Sequence, residues 1–389
     1  MGTFRGVELD DLTLSTARLE LRPWHDPDAP RVAEVLQDPR MLDFLALPRP
    51  YTLDHARAYV RDLATASRRD GSALDTAVVE RSSGRLVGSC LLRLGRVPEV
   101  GYWTAPDAWG HGYAAEATRG LVEWGFGVGL HRIELLCSTH NPASVRTALA
   151  AGFRFEGIAR DGYTVETPDA TAAGTAQRGD RARFARLDTD PGTPIAPSLP
   201  RLPAAGLSDG VVQLRVMTPA DASGLRELDD EVARAWNFDG QAIGESQARD
   251  AASDAELQWL VGRTGLRIAI VDAASGTFAG GLSLRLTGPP GVGLLGYGVH
   301  PAFRGRGFTT RALRVFAGWA FDVAGLARLE LGARTGNTAS RRAAENAGFE
   351  FEAVFRGRLR DGEGRYHDEA RYALLRPAGA PQPVSRISP

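Results

Sequence analysis

The chain has 389 residues, of which 43% are hydrophobic and 24% are charged, and its formal net charge is −1. These values are typical of a globular protein, and the length predicts two or so domains. The near-zero net charge offers no general attraction to nucleic acid or to an anionic membrane. Because there is no membrane-length apolar run and no secretory-signal pattern at the N-terminus, we expect a cytoplasmic protein.

The first third of the chain predicts a strand, two helices and then a run of strands. Leu19 to Arg22 alternates apolar and charged residues, as a half-buried strand does. Asp28 to Gln37 and Leu53 to Ser67 carry apolar residues at helical spacing. The strands that follow are predicted at Thr76 to Glu80, Leu86 to Leu94 and Glu99 to Thr104.

A glycine-spaced turn follows the last of these strands and opens a long amphipathic helix. It consists of Trp109, Gly110, His111, Gly112, Tyr113 and Ala114. Glycines at this place let backbone N–H groups converge on an anion, and the positive end of the helix dipole favours the same charge. Pyrophosphate fits this pattern, although a single glycine pair is equally compatible with a plain strand-to-helix turn.

The same stretch occurs twice in the chain. Tyr102 aligns with Tyr297 and Gly112 with Gly307 at a constant offset of 195, and after a one-residue slip Ser144 aligns with Ser340. The second turn reads Arg304, Gly305, Arg306, Gly307, Phe308 and Thr309. So many identities in one order indicate an internal duplication, which makes the plain-turn interpretation less favoured.

Each copy continues with a strand, the pattern Asn-x-x-Ser and a helix that ends at Gly-Phe. Asn141 and Ser144 stand in the first copy, Asn337 and Ser340 in the second. Asn and Ser are also good helix-capping residues, so capping alone would explain either one. Cys90 and Cys137 each lie in an apolar, strand-like segment, which favours buried free thiols over a disulfide, a metal pair or a catalytic thiol.

This order of elements resembles the GNAT superfamily of acyl-CoA N-acyltransferases, and more narrowly the Rim-type branch that acetylates N-terminal amines of ribosomal proteins and other amines. The segment Thr16 to Trp24 also resembles the first strand of that branch. The resemblance implies an α/β (α+β) fold with two GNAT-like domains, each a bent, mixed, mostly antiparallel sheet flanked by helices. It implies acetyl-CoA as the cofactor, no metal, and an amine-bearing small molecule or peptide as the acceptor.

The resemblance also implies roles for individual residues. Asn141 and Asn337 would bind the pantetheine amide, and Ser144 would lie near the thioester sulfur and assist the departing thiolate. The other residues expected to bind the cofactor are Trp103, Trp109, Gly110, His111, Gly112, Tyr113, Ala114 and Arg146 in the first copy, and Val299, Arg304, Gly305, Arg306, Gly307, Phe308, Thr309, Ser340 and Arg342 in the second.

Glu99 is the candidate proton acceptor. It begins the strand before the turn, on the same face as Gly101 and Trp103. An amine nucleophile is mostly protonated at neutral pH, with a pKa of about 8 or above. A nearby carboxylate accepts that proton directly or through water. A solvated glutamate at a strand end is the alternative interpretation.

The two copies differ at this position and in the turn. The second copy has Leu294 where the first has Glu99, and the first has Trp109 where the family usually has Arg or Gln. We therefore expect both copies to bind acyl-CoA and the first to be the better catalyst. The opposite assignment stays open, since Glu330, Glu345, Asp368 or a water could serve the second copy.

The domain boundaries follow from composition. We expect domains at 1–190 and 207–377, joined by an extended proline-rich linker at 191–206, with a flexible excursion at 165–178 and a flexible tail at 378–389. The protein is expected to be a monomer or a homodimer. Two other functions remain possible: a second domain that only binds acyl-CoA or acts as a scaffold, and a self-resistance or tailoring acetyltransferase for an amine-containing antibiotic. An enzyme of another transferase class that uses a CoA-like nucleotide is a further alternative.

Overall fold

The structure is a computed structural model that describes residues 3–42, 44–45, 47–165, 177–236, 243–262, 265–286 and 288–377. The chain divides into two compact units, Met1–Ala196 (the first unit) and Pro197–Pro389 (the second unit). Most of the predicted excursion at 165–178 and all of the predicted tail at 378–389 lie outside the described residues. Among the described residues, no helix is long and apolar enough to cross a membrane.

The first unit contains a small hairpin, an eight-stranded sheet and six α-helices within its described residues. The hairpin strands are β1 (Thr3–Phe4) and β2 (Val7–Glu8). The sheet strands are β3 (Leu14–Ser15), β4 (Leu19–Arg22), β5 (Ala73–Glu80), β6 (Leu86–Arg93), β7 (Glu99–Thr104), β8 (Arg132–Ser138), β9 (Arg154–Val165) and β10 (Gln177–Leu187). The helices are α1 (Ala29–Leu36), α2 (Pro39–Leu42), α3 (Leu53–Ala58), α4 (Ala64–Arg69), α5 (Tyr113–Gly127) and α6 (Pro142–Ala150).

The sheet of the first unit opens where the glycine turn begins. Its order is β3-β4-β5-β6-β7-β8-β10-β9, and every neighbouring pair is antiparallel except β7 and β8. The parallel pairing of β7 with β8 covers only Glu99 with Glu134 and Val100 with Leu135. From Gly101 onward the two strands are no longer paired, which leaves a gap in the sheet.

The second unit repeats this arrangement. Its sheet has the order β11-β12-β13-β14-β15-β16-β18-β17, with one parallel pair, β15 and β16. The strands are β11 (Leu207–Ser208), β12 (Val212–Val216), β13 (Leu266–Asp272), β14 (Phe278–Arg285), β15 (Val292–Val299), β16 (Arg328–Arg334), β17 (Glu350–Arg360) and β18 (Tyr366–Leu375). The helices are α7 (Ala222–Glu227), α8 (Glu231–Trp236), α9 (Glu245–Ser253), α10 (Ala255–Val261), α11 (Phe308–Asp322) and α12 (Thr338–Asn346). Pairing of β15 with β16 ends at Leu295 and Leu331, so this sheet opens at Gly296.

Both faces of each sheet are covered because side chains alternate along the strands. In the second unit, Leu282 and Leu284 belong to a core cluster that includes Leu313 and Phe316 of α11. Ala269 and Val271 belong to a second cluster, together with Met217 and Leu225. The predicted α/β fold with two bent, mixed, mostly antiparallel sheets is confirmed.

The proline-rich segment differs from the extended spacer that its composition predicts. Leu199 and Leu202 stand between its prolines and are buried in the core of the second unit. Trp259 Nε1 donates a hydrogen bond to the Pro200 carbonyl oxygen at 3.2 Å. Earlier in the segment, the Ile195 N–H donates to Leu149 O of the first unit at 2.9 Å. The proline spacing gives no indication that the two leucines between the prolines are buried. Their burial stabilises the packing of this end of the segment on the second unit, and the other end is hydrogen-bonded to the first unit.

Candidate active site

The glycine turns present free backbone donors at the start of α5 and α11. Gly110, Gly112, Gly305 and Gly307 all have left-handed backbone angles, with φ of 79°, 76°, 71° and 78°. Among the described residues, none accepts a hydrogen bond from the N–H groups of positions 110–112 or 305–307. Unpartnered N–H groups at a helix N-terminus bind anions, so the residues present fit the diphosphate of an acyl-CoA.

Trp109 and Arg304 perform the same structural task in the two turns. Trp109 Nε1 donates to Thr104 O at 2.7 Å, and Arg304 Nε donates to Val299 O at 3.3 Å. These two carbonyl groups are equivalent, since Thr104 and Val299 are the last residues of β7 and β15. Tryptophan therefore retains the hydrogen bond to the strand end that arginine makes in the other copy.

The guanidinium of Arg304 forms an ion pair with a carboxylate. Its two terminal nitrogens lie 2.6 and 2.7 Å from the carboxylate oxygens of Asp230. The hydrogen bonds from Arg304 lower the pKa of Asp230 to about 2. Arg306 is exposed and makes no ion pair with a described residue, and its guanidinium lies over the rings of Phe303 and Phe308 at 4.9 and 5.3 Å. Arg306, rather than Arg304, is the cation available to a phosphate at this turn.

Aromatic residues anchor both helix starts. Tyr113 and Phe308 are buried at the first position of α5 and α11. His111 stacks on Tyr113 with ring centroids 5.4 Å apart, and its Nδ1 lies 3.0 Å from Trp109 O. Ala114 and Thr309 follow these anchors and are half-buried.

The asparagines of the two Asn-x-x-Ser patterns cap α6 and α12, the helices that follow β8 and β16. Asn141 Oδ1 accepts from the Ser144 N–H, and Asn337 Oδ1 accepts from the Ser340 N–H, both at 3.1 Å. Capping is therefore one role of each asparagine. The cap uses the side-chain carbonyl oxygen of each asparagine, so the NH₂ group can donate to another acceptor. Of the two predicted arginines in these helices, Arg146 is half-buried and Arg342 is exposed.

Two tyrosines that the sequence did not single out bridge the gap in each sheet. The Tyr102 hydroxyl donates to Ser144 O at 3.4 Å, and the Tyr297 hydroxyl donates to Ser340 O at 3.1 Å. Burial raises the pKa of both tyrosines, so their hydroxyls stay protonated. Both copies of the duplicated sequence have tyrosine at this position, and this agreement is the sequence feature that could have indicated a shared role.

Glu99 and Ser144 are not in contact. Glu99 Oε1 accepts from Arg93 Nη1 at 3.1 Å, and its side chain is 27% exposed. Alternation along β7 places Glu99 on one face of the sheet and Tyr102, which contacts Ser144, on the other. The two predicted catalytic groups therefore approach the gap from opposite faces, with Glu99 two residues before the gap opens.

In the second unit, Leu294 lies opposite Glu330 in the parallel pairing. The three acids that could replace Glu99 are all engaged. Glu330 Oε1 lies 2.7 Å from Arg328 Nε, Glu345 Oε1 accepts from the Tyr372 hydroxyl at 2.9 Å, and Asp368 Oδ1 accepts from the Gly357 N–H at 2.8 Å. None of these contacts places an acid at the position of Leu294.

The face of the first sheet that carries Glu99 also holds a buried carboxylate that the sequence analysis missed. Asp75 is 6% exposed and accepts hydrogen bonds from Trp24 Nε1 at 2.9 Å and from the Tyr59 hydroxyl at 3.1 Å. Burial raises the pKa of Asp75 in spite of these bonds. Trp24 stacks on Trp103, with ring centroids 6.3 Å apart, so the cofactor-binding candidate Trp103 belongs to this cluster.

The cysteines are structural. Cys90 and Cys137 are buried and free, as predicted. Burial raises the pKa of each thiol to about 12, so the reactive thiolate is strongly disfavoured. Neither thiol fits the role of an acyl-carrying nucleophile.

A family model described as "Acetyltransferase (GNAT) domain" matches residues 18–154 and again residues 212–350. The chain is a tandem GNAT acetyltransferase. Each match contains one glycine turn, one gap in the sheet and one Asn-x-x-Ser pattern, so the family assignment falls on the residues that form the two candidate sites. Two Rim acetyltransferases, RimJ of Mycobacterium smegmatis and a RimL protein, are among the structurally similar proteins.

Curated relatives match between 29% and 38% of this chain. The uncharacterized N-acetyltransferase p20 of Bacillus licheniformis is 29% identical over 156 residues, which are 38% of this chain and 86% of that protein. The FsC-acetyl coenzyme A-N(2)-transacetylase of Aspergillus fumigatus is 30% identical over 129 residues, which are 29% of this chain and 52% of that protein. Among solved structures, Mycobacterium smegmatis RimJ in complex with CoA-disulfide is 25% identical, covers 46% of this chain and 90% of that one, and has a TM-score of 0.39.

Proposed function

We propose that the protein is an acetyl-CoA-dependent N-acetyltransferase that moves an acetyl group directly to a primary amine, with domains at 1–190 and 207–377. The observation that carries the proposal is that the N–H groups of positions 110–112, beside the gap that opens at Gly101, donate to none of the residues that the structure describes. Acetyl-CoA would supply the acetyl group as a thioester. The turns of both units would hold its diphosphate, and the NH₂ groups of Asn141 and Asn337 would bind the pantetheine.

The first unit is proposed to carry the chemistry. Glu99 accepts the ammonium proton of the acceptor, directly or through a water, on its face of the sheet. Ser144, at the start of α6, would donate a hydrogen bond to the departing thiolate, which leaves as CoA. The ion pair of Glu99 with Arg93 does not prevent this role, because partly exposed pairs of this kind are worth only about 0–1 kcal/mol. In the second unit, the Leu294 side chain can neither accept nor donate a proton. This difference favours a second domain that binds acyl-CoA and turns over slowly.

The acceptor is proposed to be a peptide or protein N-terminus, or the amine of a small or peptidic metabolite. A ribosomal-protein-S5-alanine acetyltransferase from Vibrio fischeri is among the structures with this fold, which favours the first class. A Microcin C7 self-immunity acetyltransferase is also among the similar structures, and its self-immunity role favours an antibiotic acceptor as the second candidate.

The proposal is tested by free-thiol release from acetyl-CoA with a panel of peptides whose first residue varies and a panel of small amines. We expect at least one panel to give thiol release that depends on the amine and on Glu99. Thiol release that no amine increases, together with no binding of CoA by calorimetry, would contradict the proposal.

A further inference from the structure

The second unit has a cavity of about 180 Å³. It lies on the face of the sheet opposite α11, where Gly281, Gly296 and Gly298 carry no side chain. Apolar side chains form its outer wall and one arginine lies at its end. The cavity is lined by Met217, Leu225, Leu228, Arg267 and Ser283 together with the three glycines.

The position of Arg267 follows from the strand register. Arg267 pairs with Ser283, and Ser283 pairs with Gly296, where the sheet opens. In the first unit the same row runs from Asp75 through Leu91 to Gly101. Arg267 is therefore the counterpart of Asp75, and the duplicated fold carries opposite charges at one position.

The first unit fills this space with aromatic rings. Gly298 of the second unit corresponds to Trp103, since Trp103 pairs with Ser89 as Gly298 pairs with Gly281. Trp103 stacks on Trp24, which binds Asp75. With glycine at position 298 there is no ring, and a Cβ added there would have only Leu228 Cδ1 as a neighbour, at 3.5 Å.

The side chain of Arg267 has no hydrogen-bond or ion-pair partner among the described residues, although the carboxylate of Asp75 in the first unit has two donors. Burial and the nearby Arg285 lower the pKa of Arg267. A half-buried cation without an anion costs free energy, and a guanidinium binds a carboxylate through two parallel hydrogen bonds. The chemistry of this cavity therefore fits an anion, and a carboxylate in particular.

The strand spacing also indicates where an amine would lie if it belonged to the same molecule as the anion. Adjacent strands are about 4.8 Å apart, so the row from Arg267 to Gly296 spans roughly 10 Å between backbones. Arg267 and Gly296 both line the cavity. A carboxylate held by Arg267 therefore leaves room for an amine a few bonds away to reach the gap at Gly296.

We propose that the cavity of the second unit binds amines that carry a carboxylate, with the size of an amino acid or a short peptide, and holds that carboxylate on Arg267. This rests on the proposed acetyltransferase function, but binding does not require the unit to turn over. The first unit, with Asp75 and its tryptophans in the same place, does not share this preference.

The test uses the full-length protein, saturated with CoA, and the product-like ligands N-acetylglycine and N-acetylalanine beside their carboxamides. Calorimetry should show the carboxylates binding at least about tenfold more tightly than the amides, because a hydrogen bond to a charged group contributes about 1.5–3 kcal/mol. Arg267→Gln should remove the difference, and Arg267→Lys should keep part of it. Arg285→Gln is the matched control and should keep it, since Arg285 is charged, nearby and outside the cavity lining.

Gly298→Trp gives a second variant that leaves Arg267 intact. The added ring should fill the cavity and weaken binding of both members of each pair, and thermal denaturation checks that each variant is folded. Equal Kd values for carboxylate and amide, a difference that survives Arg267→Gln, or no binding of any ligand at millimolar concentration would overturn the anion site. If Arg267-dependent binding is found while no amine is acetylated, the anion site stands and the proposed function fails. If amines are acetylated and the carboxylates bind no more tightly than the amides, the proposed function stands and the anion site fails.

Discussion

The Tyr297 hydroxyl lies 2.7 Å from Ser340 Oγ, within the second unit's gap. In the first unit the hydroxyl of the corresponding Tyr102 donates to the Ser144 carbonyl oxygen at the longer distance of 3.4 Å. The tyrosine thus ties the first turn of α12 to β15 more firmly than its counterpart ties α6 to β7.

This difference predicts unequal effects of removing the two hydroxyls. Tyr297→Phe should speed amide hydrogen exchange in the first turn of α12 by roughly two- to tenfold, since a lost hydrogen bond costs about 0.5–1.5 kcal/mol. Tyr102→Phe should have a smaller effect on α6. Hydrogen exchange read by mass spectrometry measures both variants, and a larger effect of Tyr102→Phe would contradict the assigned contacts.

Trp109 is expected to act through its N–H group rather than through its ring alone. Trp109→Phe removes the donor to Thr104 O and should destabilise the first unit by about 0.5–1.5 kcal/mol. Trp109→Arg should retain stability and CoA binding, because Arg304 makes the equivalent bond in the second unit. Denaturation and calorimetry measure the two effects. Equal losses for both variants would mean that the ring, not the N–H, is what matters.

Gly112→Val tests the turn as the diphosphate site. The added side chain stands beside the unpartnered N–H groups and strains a left-handed backbone, so the Kd for CoA in the first unit should rise. Gly84→Val is the matched control, because Gly84 has a φ of 70° and open space around it, in a turn between β5 and β6. Calorimetry should show weaker CoA binding for the Gly112 variant only. Equal affinities in two folded variants would remove the turn from the site.

Asp75→Asn should change how stability depends on pH. Burial raises the folded-state pKa of Asp75, so folding disfavours its charged form. The carboxyl is neutral in both states below its unfolded pKa of about 3.9. As pH rises from there through the folded pKa, the wild type should lose stability relative to the asparagine variant, and the difference should then stay constant. Thermal denaturation of both proteins across this range measures the trend. A difference that does not depend on pH, or one that grows toward acid pH, would contradict a raised pKa.

Much of the site follows from the sequence because its parts are local. A glycine pair before a helix and an Asn-x-x-Ser after a strand are contiguous patterns, and a constant offset of 195 shows them twice. The glycine turns and the strands before them were correctly located for this reason. The strand at Leu19–Arg22 was also predicted with its observed bounds.

Contacts between distant segments could not be read in the same way. The equivalence of Asp75 with Arg267 depends on strand register, and it has an offset of 192 rather than 195 because intervening loops differ in length. The bond from Trp109 to Thr104 O depends on a side-chain orientation that spacing does not fix. The role of Leu199 and Leu202 in the second core depends on packing that a proline-rich composition conceals.

The most direct test of the account measures kcat for thiol release by the full-length protein with Glu99→Gln, Arg93→Gln, Ser144→Ala and Ser340→Ala. General-base assistance contributes about 10²–10⁴-fold, so Glu99→Gln should lower kcat by that order at neutral pH and recover in part at higher pH as free amine accumulates. Arg93→Gln breaks the same ion pair while keeping the carboxylate, and it should leave most of the activity. Ser144→Ala should cost less than Glu99→Gln, and Ser340→Ala should leave kcat nearly unchanged. Loss of activity in Ser340→Ala with full activity in Glu99→Gln would place the chemistry in the second unit and contradict the account.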